Sequence, residues 1–172
     1  MASAPCHKLP MMHQSSKVMR LLLALMGAAL LLSACRRELA YHAYRPTPME
    51  GWEQGDTLHF HVDTLRRSGT YAMSLGVRSS ASTPYPFQTL WLVVRQHWHH
   101  PERISCDTVE CHLTSNNGDL NGTGVSIYQI EQPFRTFEAQ AGASADISII
   151  HIMRRELLPG ITDVGVKIEH AD

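Results

Sequence analysis

Thr70-Tyr71-Ala72-Met73-Ser74-Leu75-Gly76-Val77 alternates large apolar side chains with small or polar ones, and that period of two decides the fold. It is the pattern of a half-buried strand. Upstream, Leu58, Phe60 and Val62 alternate with Thr57, His59 and His61, and Arg66-Arg67-Ser68-Gly69 makes a turn. Downstream, the Ser, Thr and Pro of Ser79 to Pro86 read as a loop, and Thr89 to Gln96 is apolar on both faces, which suits a central buried strand. Thr108 to Leu113 sets Val109, Cys111 and Leu113 on one face. Ser115-Asn116-Asn117-Gly118-Asp119 then reads as a hairpin turn to a return strand ending at Ile130. Phe134 to Phe137 reads as a separate short strand, and Gln140 to Ala143 as a turn. Ile147, Ile149, His151 and Met153 oppose Ser148, Ile150 and Ile152, and Val164, Val166 and Ile168 share the last face. About eight strands and no helix of three turns predict an all-β fold, an antiparallel β-sandwich of jelly-roll type.

The amino-terminal segment follows other rules. Lys17 and Arg20 precede Leu21 to Leu32, an uncharged apolar run. As a helix this run would reach about 18 Å, short of a hydrocarbon core of about 30 Å, so it reads as the apolar region of a signal peptide. Leu32-Ser33-Ala34-Cys35 follows at once and resembles the lipobox of bacterial lipoproteins, in which the cysteine thiol accepts the lipid and small residues admit the peptidase. The expected organisation is a lipoprotein signal peptide over 1–34, a lipidated polar tether over 35–50 and a β-sandwich over 51–172. Pro46 and Pro48 discourage helix in the tether. Arg36 stands where an Asp would resemble an inner-membrane retention signal, and residues 36–40 hold no acidic cluster resembling a surface-export signal. Both features favour the periplasmic leaflet of the outer membrane.

Formal net charge is −1 for the whole chain, but residues 1–34 contain three basic side chains and no acid. The remainder carries twelve basic against sixteen acidic side chains, a balance that offers no field for nucleic acid. No nucleophile elbow, P-loop or dinucleotide fingerprint occurs, so no enzyme and no cofactor are expected. His59 and His61 share a strand face, and His97, His99 and His100 surround Trp98. These imidazoles read as a solvated face and loop, with no metal expected. Cys106 and Cys111 are the thiols left in the expected mature domain once Cys35 is lipidated. They form a disulfide if a turn occurs at Asp107-Thr108; otherwise Cys111 is a small buried hydrophobe. Trp91, within an apolar run, reads as core, and Trp98 as an exposed platform on which a sugar ring could stack. Carbohydrate binding is the alternative to protein docking.

A scattered set of residues carries a resemblance. Tyr41 and Tyr44 precede Gly51-Trp52 and Asp56-Thr57-Leu58, followed by Gly69-Thr70-Tyr71, Leu75-Gly76-Val77-Arg78 and Gly118. Gly122 to Gln129, Pro133, His151 to Glu156 and Leu158 to Gly165 complete it. In this order, behind a lipobox, they resemble the gliding-motility lipoprotein H (GldH) family of Bacteroidetes. The long start before Lys17 and the segment Gln96 to Pro101 depart from the family pattern. The resemblance implies an outer-membrane lipoprotein tied to gliding and to the linked type IX secretion apparatus, with no catalytic residues to carry over. Similar proteins are common in non-gliding gut and oral Bacteroidetes too, so the resemblance does not by itself imply motility. Expected partners are the membrane, through lipid on Cys35, and other envelope proteins. Arg154, Arg155 and Glu156, within the most specific stretch of likeness, are the expected partner surface.

Overall fold

The computed structural model describes residues 19, 20, 22 and 38–171, of which the first three are helical. All strands fall in the unit formed by residues 37–172. They are β1 (Leu39–Pro46), β2 (Trp52–Glu53), β3 (Leu58–Val62), β4 (Gly69–Ser80) and β5 (Thr89–His99), then β6 (Arg103–His112), β7 (Ile127–Ala139), β8 (Ser144–His151), β9 (Leu157–Leu158) and β10 (Ile161–His170). One four-stranded sheet has the order β1-β10-β4-β7 and the other β3-β8-β5-β6, with β2 and β9 paired beside them. Every pairing is antiparallel. Eight long strands distributed in this order form a jelly roll.

The alternation seen in the sequence fills the space between the sheets. Tyr71, Met73, Leu75 and Val77 of β4 and Val164, Val166 and Ile168 of β10 face Leu90, Leu92 and Val94 of β5 and Ala145, Ile147 and Ile149 of β8. Each large side chain fully withdrawn from water contributes on the order of 1.5–3 kcal/mol, which makes this layer the main source of stability. His151 is also fully buried there. Its Nε2 lies 3.2 Å from the Trp52 carbonyl oxygen and its ring packs edgewise on Trp52. Burial holds this imidazole below its ordinary pKa and favours the neutral form.

Three expectations need correction. Residues 39–46, read as tether, are an edge strand that pairs with β10 from Leu39 to Pro46. The return strand after Ser115–Asp119 does not pair with β6; it is the start of β7, in the opposite sheet beside β4. That turn closes locally, through the Ser115 and Gly118 amides, within a crossover between sheets. Phe134 to Phe137 belongs to the same continuous β7. A bulge opposite Met73/Ser74 adds one residue, so Ile130 and Phe137 both point inward despite their odd separation. The phase break makes one strand look like two. Pro133 is accommodated because β7 is an edge strand.

Polar side chains bridge the sheets at both open sides. Arg135 of β7 reaches across to Asp107 of β6 at 2.7 and 3.0 Å. Asp107 also accepts from Gln96 at 2.6 Å, and Gln96 accepts the Trp98 indole N–H at 3.1 Å. On the other side Arg45 of β1 donates to the His59 carbonyl oxygen at 3.0 Å.

β1 is fastened by a close approach. Its Tyr44 lies across the outer face of the sheet over Gly165 of β10 and Gly76 of β4, which are paired with each other. A Cβ on Gly165 would come 2.7 Å from the ring, and one on Gly76 would overlap the phenol. The Arg78 guanidinium caps the ring 3.8 Å from its centre, a cation–π contact. Burial raises the phenol pKa above its ordinary range, and Arg78 opposes that shift. Gly76→Ala is therefore expected to destabilise the domain by about 1–3 kcal/mol. In a Tyr44→Ala background the same change should cost far less, a coupling of about 1 kcal/mol or more in urea-unfolding midpoints. Gly55→Ala is the control, since a methyl there meets nothing within 4 Å. Equal costs in both backgrounds would show that the ring does not occupy the glycine trough.

Candidate functional site

The outer face of the β3-β8-β5-β6 sheet gathers most of the side chains singled out in the sequence. β5 sends Leu90, Leu92, Val94, Gln96 and Trp98 inward, so Trp91, Val93, Arg95, His97 and His99 point outward. The two tryptophans thus exchange the places expected of them. Trp98 is only 2% exposed and belongs to the core, whereas Trp91 is 38% exposed. An apolar run with no polar phase cannot orient its own strand; the parity is set by Gln96, held inside by Asp107.

Register divides this face in two. Val93 stands opposite Ile150, and the Ile152 amide donates to the Trp91 carbonyl oxygen at 3.0 Å. Trp91, Val93, Ile150 and Ile152 form an apolar strip across two neighbouring strands. Met153 adds its sulfur 3.4 Å from the Trp91 amide nitrogen. Arg154, Arg155 and Glu156 follow in an exposed loop beside the strip. Neither arginine forms an ion pair among the described residues.

The other half of the face is imidazole and carboxylate. Asp146 of β8 stands between His61 of β3 and His97 of β5 by register. One carboxylate oxygen lies 2.8 Å from His61 Nδ1 and the other 3.0 Å from His99 Nε2. His97 packs its ring 4.4 Å from that of His99 and reaches Glu102 at 3.2 Å. The sequence placed His61 on a solvated strand face and read His97 and His99 as loop; both belong to β5, and Asp146 as the common partner of His61 and His99 was not legible. That contact spans 85 residues of chain. Among the described residues, no three His, Cys, Asp or Glu side chains are arranged to hold a metal ion.

The hydrogen bond to Asp146 raises the His61 pKa above 6.5, and the bonds from His61 and then His99 lower the Asp146 pKa below 3.8. The sign follows by linkage. The His61 contribution to stability is complete below 6.5 and lost as pH rises through its raised folded value. The Asp146 contribution is complete above 3.8 and lost as pH falls through its lowered one. Asp146→Asn is therefore expected to cost most stability near about pH 5 and less above about pH 8. It should also return the His61 pKa, read by NMR titration, towards its ordinary value; an unmoved pKa would break the assignment.

Cys106 and Cys111 both lie on β6, which runs straight through Asp107 and Thr108 without the turn that a bridge requires. Positions five apart on a strand face opposite ways, so the thiols are free, Cys106 exposed and Cys111 buried. Burial pushes the Cys111 thiol up to about 12. Of the two alternatives left by the sequence, the straight strand carries Cys111 as core packing. One thiol, Cys106, should alkylate in the folded domain, and Cys111 only after denaturation. Protection of both until reduction would reinstate the bridge. Cys35 and, apart from Leu22, the apolar segment before it lie outside the described residues. Among the described residues, no helix is long and apolar enough to cross a membrane.

Fold and face together define a jelly-roll β-sandwich domain with a two-part outer face. The chain belongs to the GldH lipoprotein family, whose model matches residues 39–168. The gliding motility lipoprotein GldH homolog of Christiangramia forsetii is 25% identical over 152 residues, covering 83% of this chain and 91% of that protein. The gliding motility lipoprotein GldH of Flavobacterium johnsoniae is 25% identical over 156 residues, covering 86% of this chain and 95% of that protein. Among solved structures, a family 35 carbohydrate binding module from Clostridium thermocellum aligns with a TM-score of 0.39 at 11% identity. That alignment covers 79% of this chain and 98% of the module, and the likeness is too distant to carry an argument.

Several residues that carried the family resemblance meet in space. Tyr44, Gly76, Arg78 and Gly165 form the trough that seats β1, and Trp52, His151 and Leu158 pack together in the core. Their likeness has a packing cause.

Proposed function

We propose that this chain is a non-catalytic docking subunit of a cell-envelope assembly linked to gliding and type IX secretion, anchored by lipid on Cys35 after removal of residues 1–34. The anchor is placed in the periplasmic leaflet of the outer membrane. The observation that carries the docking role is the contiguous apolar strip of Trp91, Val93, Ile150 and Ile152 on the outer face, where Ile104 stands apart opposite His97. Water-exposed apolar side chains held side by side on a rigid sheet are costly to leave unpaired and suit a protein partner. Family membership supports the envelope setting, because the two curated relatives are named gliding motility lipoproteins. A lipid anchor confines such a domain to a surface, so modest contacts suffice for association.

The exposed ring of Trp91 favours one second reading, stacking on a sugar. Sugar platforms gain from more than one accessible ring in a groove, and here Trp52 and Trp98 are buried, leaving Trp91 on a flat face. Protein docking is the better reading.

Cys35→Ala should leave unprocessed precursor without palmitate label, and label persisting on the variant would refute the anchor. Wild-type protein, gently solubilised from outer membranes, should co-purify with a reproducible set of envelope proteins. Isolation without companions, together with binding to a glycan array, would instead select the sugar reading.

A further inference from the structure

The docking reading leaves open which surface meets the partner and what that partner presents. Strand directions divide the sandwich into two poles. One carries the start of β1, the β3–β4 loop with Thr64, the β5–β6 turn and the β7–β8 turn. On the docking reading it is the anchored pole, because only three residues separate Cys35 from Leu39, a reach of about 14 Å. Trp91 lies eight residues along β5 from His99 at this pole, about 26 Å away. Met49, Phe87, Val125, Ile127 and Leu157 are exposed around the far pole, whereas Leu39 and Ile104 are exposed towards the anchored one. Exposed apolar surface is therefore concentrated away from the lipid.

Charge narrows the occupant. Arg95 borders the strip on the histidine side and Arg154 and Arg155 follow Ile152 on the other, all exposed. None of the three is in an ion pair among the described residues. The acids nearby are Glu110, which stands opposite Trp91 on β6 and lies 3.9 Å from His112, and Glu156, which follows Arg155 directly. Three guanidinium groups outside any ion pair, at both ends of an apolar strip, outnumber the two acids beside it and match carboxylates at both ends of an apolar segment. We propose that the strip of Trp91, Val93, Ile150 and Ile152, bracketed by Arg95, Arg154 and Arg155, docks a protein partner. The segment it receives presents apolar side chains between carboxylates, on the side of the domain away from the membrane. This rests on the docking reading above and specifies its surface and chemistry.

The test uses full-length protein in its own cells. Benzoylphenylalanine replaces Thr108, which is exposed and stands opposite Val93, and in a control replaces Thr64 at the anchored pole. Irradiation should give one discrete protein adduct from position 108 and none of that mass from 64. Mass spectrometry should place the adduct on a partner peptide containing apolar residues and at least two carboxylates. Arg154→Glu with Arg155→Glu should lower its yield about tenfold, and Arg154→Lys with Arg155→Lys should retain most of it. Palmitate labelling and protein level should stay unchanged. An adduct to lipid, to a second copy of this chain or to a basic peptide would overturn the proposal, as would a yield indifferent to charge reversal. If envelope proteins still co-purify with the wild type but position 108 captures nothing, docking stands and this surface is wrong. Should nothing co-purify either, the docking reading fails with it.

Discussion

The approach of Tyr44 to a stretch of sheet without side chains is the contact on which the arrangement of this molecule depends. Gly76 and Gly165 stand opposite each other in neighbouring strands and leave a flat patch of backbone. The aromatic ring fills the patch and Arg78 closes it. Any side chain at either glycine would push the ring out, and with it the strand that carries it. Because the trough seats β1, the sandwich begins at Leu39. A chain that seemed to enter through a loose tether enters as a hydrogen-bonded strand.

That entry gives the domain an orientation. A lipid on Cys35 would hold one pole of the jelly roll close to the bilayer, since the intervening chain is too short to let the domain wander far. On the proposed anchoring, the imidazole and carboxylate half of the outer face of the β3-β8-β5-β6 sheet would be nearer the membrane than its apolar half. Its strands are rigid, ordered by an inner layer of Leu, Ile and Val and tied to the other sheet through Asp107 and Arg135. A surface built on such elements presents its side chains with little freedom to lose on association.

Much of the fold was legible in the sequence because period-two alternation is a local property. Tyr71 to Val77, Ile147 to His151 and Val164 to Ile168 all face the core as their spacing predicts. What was not legible required information from elsewhere in the chain. β1 has a weak alternation and two nearby prolines, and its strand character comes from β10 and the glycine trough. Trp91 and Trp98 could be oriented only by knowing that Gln96 bonds to Asp107, and β7 looked like two strands because one bulged residue reversed its phase. Of the candidate site, Arg154, Arg155 and Glu156 lie exposed, and the sequence did not associate Trp91 with the segment that carries them. The register between β5 and β8, with the Ile152 amide on the Trp91 carbonyl oxygen, is what brings Trp91 beside Ile152.

The central claim is that anchoring and docking occupy opposite poles of one rigid sandwich. The direct measurement is fluorescence quenching of the lipidated protein in bilayers that carry spin-labelled headgroups, with one fluorophore at Thr64 or at Asn117 in the β6–β7 crossover. Strong quenching at residue 64 and almost none at residue 117 is the result this account predicts. Equal quenching at both sites, or stronger quenching at 117, would contradict an anchored pole at residue 64 and a far pole held away from the membrane.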